Sequence, residues 1–102
     1  MAEGKHTPGP WRSNTAFREL DCNLLCSVSG PDGVIARSIK KPDDARLIAA
    51  APDLLAASMK AANELRQAAR ALAKAGDHKA AAVADMAEER TRAAIAKATG
   101  AA

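Results

Sequence analysis

Residues 44–55 read DARLIAAAPDLL, and this stretch decides the back half of the fold. Its Ala, Leu and Arg residues favour a helix, for which Asp43 or Asp44 is the expected N-cap. Pro52 interrupts that helix, because proline has no backbone N–H to donate and suits the first turn of a new helix. The stretch therefore predicts a short helix over residues 45–51 and a second helix that begins at Pro52.

The chain after Pro52 predicts a hairpin of two long helices. Gly76 is a C-terminal cap signal, and Asp77 suits the N-cap of the last helix. Small and apolar residues follow the first long helix at spacings of four and three: Leu54, Ser58, Ala61, Leu65, Ala68 and Leu72. This stripe permits close packing, either within the hairpin or with another copy. Because alanine buries little apolar area, the core of one subunit is thin, and we expect the stripe to form the interface of a homo-oligomer.

The front half of the chain predicts a β-sheet. Over residues 20–28 apolar and polar side chains alternate, as in a half-buried strand. One face of this strand holds Leu20, Cys22, Leu24, Cys26 and Val28. Strands over residues 11–18 and 34–39 flank it, and Gly30-Pro31-Asp32-Gly33 is the turn to the third strand.

The predicted fold class is α+β. A three-stranded antiparallel β-meander over residues 10–40 precedes a helical region over residues 43–99, made of a short helix, a proline break and a long α-helical hairpin. Residues 1–9 are expected to form a flexible arm, and residues 1–102 a single domain, because about 100 residues suit one core.

Composition excludes several classes of protein. The formal net charge of +3 is too small to imply a nucleic-acid partner without clustering, and it argues against an acidic DNA mimic. No stretch is long and apolar enough for a membrane span, and no signal peptide follows Met1. The expected location is the cytoplasm of a bacterial cell.

No catalytic, cofactor-binding or metal-binding residues are predicted. In a strand, Cys22 and Cys26 would have their Cα atoms about 13 Å apart, too far for a disulfide, and their spacing is unlike a zinc knuckle. His6 and His78 have no neighbours that suggest a triad. No nucleophile elbow or Gly-rich phosphate loop is present.

Basic residues cluster where the sheet meets the first helix: Arg37, Lys40, Lys41 and Arg46. Together with Trp11 they are the predicted partner-binding residues, and an electrostatic contact of these cations to an anionic ligand stays open. Trp11 either caps the core against the helix that carries Leu47 and Ile48, or anchors a partner. A second basic stripe, Arg66, Arg70 and Lys74, is expected to face Asp85, Glu88 and Glu89 across the hairpin. Pairing across the helices or plain solvation explains this stripe better than contact with a phosphate or an acidic partner.

Two motifs, HTPGPW at residues 6–11 and ARLIAAAPDLL at residues 45–55, resemble small accessory proteins of phages and prophages, most of them of unknown function. The chain departs from that pattern after Leu55, where a Glu-rich continuation is replaced by Ala57, Ser58, Met59 and Lys60. The resemblance implies an accessory product, often encoded near replication, recombination or counter-defence functions. It brings no catalytic residues.

These observations lead to three hypotheses. The first is a non-enzymatic phage accessory protein that binds a host bacterial protein, such as a CRISPR–Cas effector, or sequesters a small anionic immune signal. The alternative is a nucleic-acid-binding accessory or regulatory protein, which the scarcity of aromatic side chains does not favour. The third, a small enzyme, would have to depend on His6 and His78.

Overall fold

The computed structural model of the chain describes residues 6–18 and 23–100. Its elements in chain order are β1 (Arg12–Arg18), β2 (Asn23–Gly30), β3 (Gly33–Ile39), α1 (Pro42–Ala49), α2 (Ala51–Lys74) and α3 (His78–Thr99). The three strands form one antiparallel sheet in the order β1-β2-β3. The predicted α+β fold is therefore confirmed. The predicted positions of Leu20 and Cys22 lie outside the described residues, as do the first five residues of the arm.

A tight turn and an irregular pairing shape the sheet. Gly30 pairs with Gly33, so Pro31 and Asp32 form the predicted turn. Gly33 has φ 132°, a conformation that favours glycine. The register between β2 and β3 shifts on both sides of Val28, as a β-bulge requires.

The core of the sheet is small. Cys26, Val28 and Ala45 are buried, and Val28 is the largest fully buried side chain among the described residues. Partly buried residues pack against these three: Trp11, Ala36, Ile39, Ile48 and Ala49. Cys26 and Val28 therefore lie on the inward face that the alternation predicts for β2.

The start of α1 differs from the prediction. Lys41 is the N-cap, without a side-chain hydrogen bond, and Pro42 occupies the first turn. Asp43 and Asp44 lie inside that turn, so the prediction that one of them caps the helix is wrong. Proline suits the first helical position, which moves the start upstream, and the two carboxylates still lie near the positive end of the helix.

Local backbone chemistry sets both ends of the hairpin turn. The Asp77 N–H donates to the Leu72 carbonyl at 2.9 Å and the Gly76 N–H to the Ala73 carbonyl at 3.1 Å, the two bonds of a Schellman motif. Gly76 has φ 88°. The Asp77 side chain accepts from the Ala80 N–H at 3.1 Å and so caps α3 as predicted.

The chain divides into two compact units, one ending at Leu54 and the other beginning at Leu55. The first holds the sheet, α1 and the first turn of α2, and the second holds the rest of the hairpin. Its buried residues, within the described part, are alanines: Ala62, Ala69, Ala81 and Ala84. The organisation as a single domain stays a prediction.

Candidate functional site

The basic cluster at the end of β3 is exposed. β3 ends at Ile39 and α1 begins at Pro42, so Lys40 and Lys41 form the link between them. Arg37 precedes this link and Arg46 follows it, and all four cations are exposed. Arg46 forms an ion pair with Asp43 one turn earlier in α1, whereas no ion pair within the described residues involves the other three.

An exposed leucine accompanies these cations. Leu47 is 64% exposed. Ala45, two residues earlier in α1, is buried in the core, and positions two apart lie on nearly opposite sides of a helix. We call Arg37, Lys40, Lys41, Arg46 and Leu47 the junction surface. An exposed leucine that directly follows Arg46 in α1 offers an apolar contact to a partner, and the cations offer an electrostatic one.

A strained backbone position lies next to Arg37 of the junction surface. Ser38, between Arg37 and Ile39, has φ 62°, in the left-handed region that non-glycine residues rarely adopt. Such a conformation costs about 1 kcal/mol or more and is found disproportionately at binding sites. This strain could not be predicted from the sequence, because serine is common in ordinary strands and turns.

Trp11 packs against the core of the sheet. It is half-buried against the cluster of Cys26, Val28 and Ala45, and Ala45 belongs to α1, which agrees with the first of its two predicted roles. Its indole N–H donates to the carbonyls of Thr7 at 3.1 Å and Pro8 at 3.3 Å, so the ring also holds the preceding segment. A role for Trp11 as a partner anchor stays a prediction.

A shallow groove of about 380 Å³ lies along β1 and the end of β2. Its lining residues are Pro10, Arg12, Asn14, Ser29, Gly30 and Pro31. The Asn14 amide donates to the Ser29 hydroxyl at 3.1 Å across the two strands. Sequence analysis missed this groove, because Arg12 and Asn14 are ordinary outward positions of an amphipathic strand.

Polar side chains on one side of the hairpin join its two helices. Glu88 accepts from Arg66 at 3.1 Å and from Arg92 at 2.5 Å, and Arg92 also donates to Asn63 at 3.1 Å. The hydrogen bond from Arg92, with help from Arg66, lowers the pKa of Glu88 against the opposing effect of desolvation. The predicted pairing of Arg66 with Glu88 is confirmed, whereas Arg70 and Lys74 form no ion pair among the described residues.

The predicted interface stripe divides between two environments. Ser58, Ala61, Leu65 and Leu72 are half-buried, whereas Leu54 is 51% exposed and Ala68 is exposed. Burial is deepest one position later, at Ala62 and Ala69. We call the line of buried alanines, Ala62, Ala69, Ala81 and Ala84, the seam of the hairpin. The stripe therefore lies on one flank of this seam. Whether that flank joins copies of the chain stays a prediction.

No metal-ligating constellation is found within residues 6–18 and 23–100. His6 is exposed and its Nδ1 lies 2.9 Å from the Thr7 carbonyl, while His78 is exposed in the first turn of α3. Cys26 is buried in the core. The hypotheses of a non-enzymatic protein and of a protein without a cofactor stay predictions.

Residues 1–102 match the family described as Salmonella phage P22 protein Y8K6. The chain belongs to this family. The resemblance to phage proteins is therefore confirmed at the level of the family. No curated protein and no solved structure matches the chain. Among the described residues, no helix is both long and apolar enough to cross a membrane.

Proposed function

We propose that this P22-family protein is a non-enzymatic accessory protein that acts by binding in the cytoplasm of the host bacterium. Its target is a component of host defence, such as a CRISPR–Cas effector, or a small anionic immune signal that it sequesters. The observation that carries the proposal is the junction surface, where three exposed cations without an ion pair among the described residues accompany the exposed Leu47. Membership of a phage protein family supports the part of the proposal that places the protein in a bacterial host.

The mechanism is steric and electrostatic. Single exposed ion pairs contribute about 0.2–1 kcal/mol, so Arg37, Lys40 and Lys41 must act together to steer an acidic partner. Burial of an exposed leucine contributes about 1.5–3 kcal/mol more and would hold the complex once formed. The target surface is therefore expected to carry carboxylates or phosphates around an apolar hollow.

The test compares two variants with the same change in charge. R37Q/K40Q/K41Q removes the three cations of the junction surface, and K60Q/R70Q/K74Q removes three exposed cations of the hairpin. Each lowers the formal net charge from +3 to zero. The readout is the plating efficiency of a defence-sensitive phage on hosts that carry a defined CRISPR–Cas system and express the wild-type protein or either variant.

We expect the wild type and the hairpin variant to raise plating efficiency, and the junction variant to raise it far less, because its affinity for the target should fall at least about tenfold. Equal protection by both variants would exclude the junction surface. If no defence system is affected by the wild type, the anti-defence proposal fails.

The same variants test the alternative, a nucleic-acid-binding accessory protein. Cations at the junction surface would then contact phosphates, and duplex affinity would fall steeply with salt. Loss of each phosphate contact should reduce the salt dependence by about one unit of slope. Absence of duplex or single-strand binding by the wild type at low salt excludes this alternative.

A further inference from the structure

The two sides of the hairpin differ in chemistry. One side carries the bonds from Asn63, Arg66 and Arg92 that join the helices. The opposite side carries alanine, leucine and valine, together with Ser58 of the predicted stripe. We call it the apolar face, and its residues are Ala61, Leu65, Ala68 and Leu72 of α2 and Val83, Ala87 and Ala94 of α3.

Helix geometry places these residues together. The buried alanines Ala62 and Ala84 mark the inward sides of the two helices. At about 3.6 residues per turn, the polar bonds lie on one flank of that seam and the apolar face lies on the other. Val83 is 65% exposed, and Ala68 and Ala94 are exposed as well.

The interior of the hairpin contains few large side chains, so burial within one copy contributes little to the free energy of folding. Exposure of the apolar face leaves further apolar area in water. The buried side chains of the hairpin within the described residues are all alanine, and burial stabilises in proportion to the apolar area removed from water. Covering Leu65, Leu72 and Val83 would add the large side chains that the seam lacks. Their position beside the seam extends the core outward.

We propose that a second copy of the chain covers the apolar face, so that two hairpins form a four-helix bundle. The two-fold axis runs along the helices, and α2 of each copy lies over α3 of the other. Helices of about 30 Å and a hairpin about 20 Å wide give about 600 Å² per copy, or about 1,200 Å² in total, which reaches the size of specific interfaces.

Charge at the edges of the face selects this arrangement. In the sequence, Glu64 lies between Asn63 and Arg66, and Arg90 lies between Glu88 and Arg92. Helix geometry places Glu64 and Arg90 on the outer edges of α2 and α3. Since the bonds between those flanking residues fix the register, Glu64 and Arg90 lie at the same level of the hairpin. Both are exposed and form no ion pair within the described residues.

Within one copy these two charges stand at opposite edges of the apolar face, about 20 Å apart. In the proposed dimer, Glu64 of each copy meets Arg90 of the other, twice by symmetry. The alternative two-fold dimer, with α2 over α2, would place the two acidic edges together. Charge complementarity therefore favours α2 over α3.

The first test is the mass of the full chain in solution at micromolar concentration. The wild type is expected to sediment at twice its monomer mass of 10.5 kDa. A68E puts a charge in the middle of the apolar face and should give a monomer, whereas A71E, an exposed alanine outside the face, should leave the dimer intact. Circular dichroism checks that both variants keep their helices.

The second test is a charge exchange. E64R and R90E should each weaken the dimer at least about tenfold through like-charge repulsion, and E64R/R90E should restore it. A monomeric wild type, or a dimer that A68E does not weaken, overturns the proposal. If the double variant is not restored, the arrangement of α2 over α3 is overturned. A monomeric chain that binds a different partner through the apolar face would also contradict the proposal that a second copy covers it.

Discussion

The sheet with α1 and the hairpin of α2 and α3 bury different kinds of side chain. The sheet buries Val28 and Cys26 against half-buried Trp11, so its core is one small cluster that contains a few larger side chains. The hairpin buries four alanines along its length and adds polar bonds on one side. The first unit therefore depends on individual side chains, whereas the second depends on close approach along a whole helix.

The largest effect is expected in the core of the sheet. V28A removes two methyl groups from the largest side chain that is fully buried among the described residues, and it should lower the free energy of unfolding by about 2 kcal/mol. V34A is the matched control, since Val34 belongs to the same sheet and is 51% exposed. Urea unfolding measures both, and equal losses would contradict the small, localised core.

A smaller effect is expected from overfilling the hairpin seam. A62L inserts a larger side chain at a fully buried alanine, where close helix packing leaves no room, and should cost about 1–2 kcal/mol. A71L changes an exposed alanine of the same helix and should be nearly neutral. If thermal unfolding shows A62L to be as stable as A71L, the helices do not pack closely at that position.

Loss of the helix cap is expected to have a still smaller effect. D77A removes the acceptor for the Ala80 N–H and should cost about 1 kcal/mol, whereas D77S keeps an acceptor and should cost less. Guanidinium unfolding followed by helical circular dichroism reports the difference. Identical midpoints for D77A and the wild type would show that the cap contributes nothing.

The smallest effect concerns Glu88 and pH. Because its folded-state pKa lies below the ordinary value of 4.5, its contribution to stability is present above that value and is lost as pH falls through the folded pKa. The melting temperature of the wild type should therefore decline more on acidification than that of E88Q. Parallel curves for the two proteins would show that the bonds to Arg66 and Arg92 do not favour the carboxylate.

Local chemistry made much of the fold predictable. Pro52, the Gly76-Asp77 pair and the Gly30–Gly33 turn each have backbone requirements that few residues meet, so their neighbourhoods were predictable from sequence. The start of α1 was missed because Pro42 and two aspartates offer competing signals. The buried positions Ala62 and Ala69 could not be separated in the sequence from the neighbouring stripe predicted as an oligomer interface, because alanine occurs on every side of α2.

The candidate site was predictable only in part. The cations of the junction surface are visible as a cluster in the sequence. The strain at Ser38 and the outward direction of Leu47 depend on how β3 and α1 are joined, which no local pattern reports. The pairing of Arg66 with Glu88 followed from folding the hairpin at Gly76, but the bond from Arg92 to Asn63 did not, because amides pair in too many ways.

The contrast between the two units is tested most directly by amide hydrogen exchange of the wild type at several protein concentrations. Dimerisation stabilises the segments whose opening disrupts the interface, by an amount that grows with concentration. We expect protection in α2 and α3 to rise with concentration while protection in β2 stays constant. Protection that is independent of concentration throughout the chain would contradict the account, because the hairpin would then be complete in a single copy.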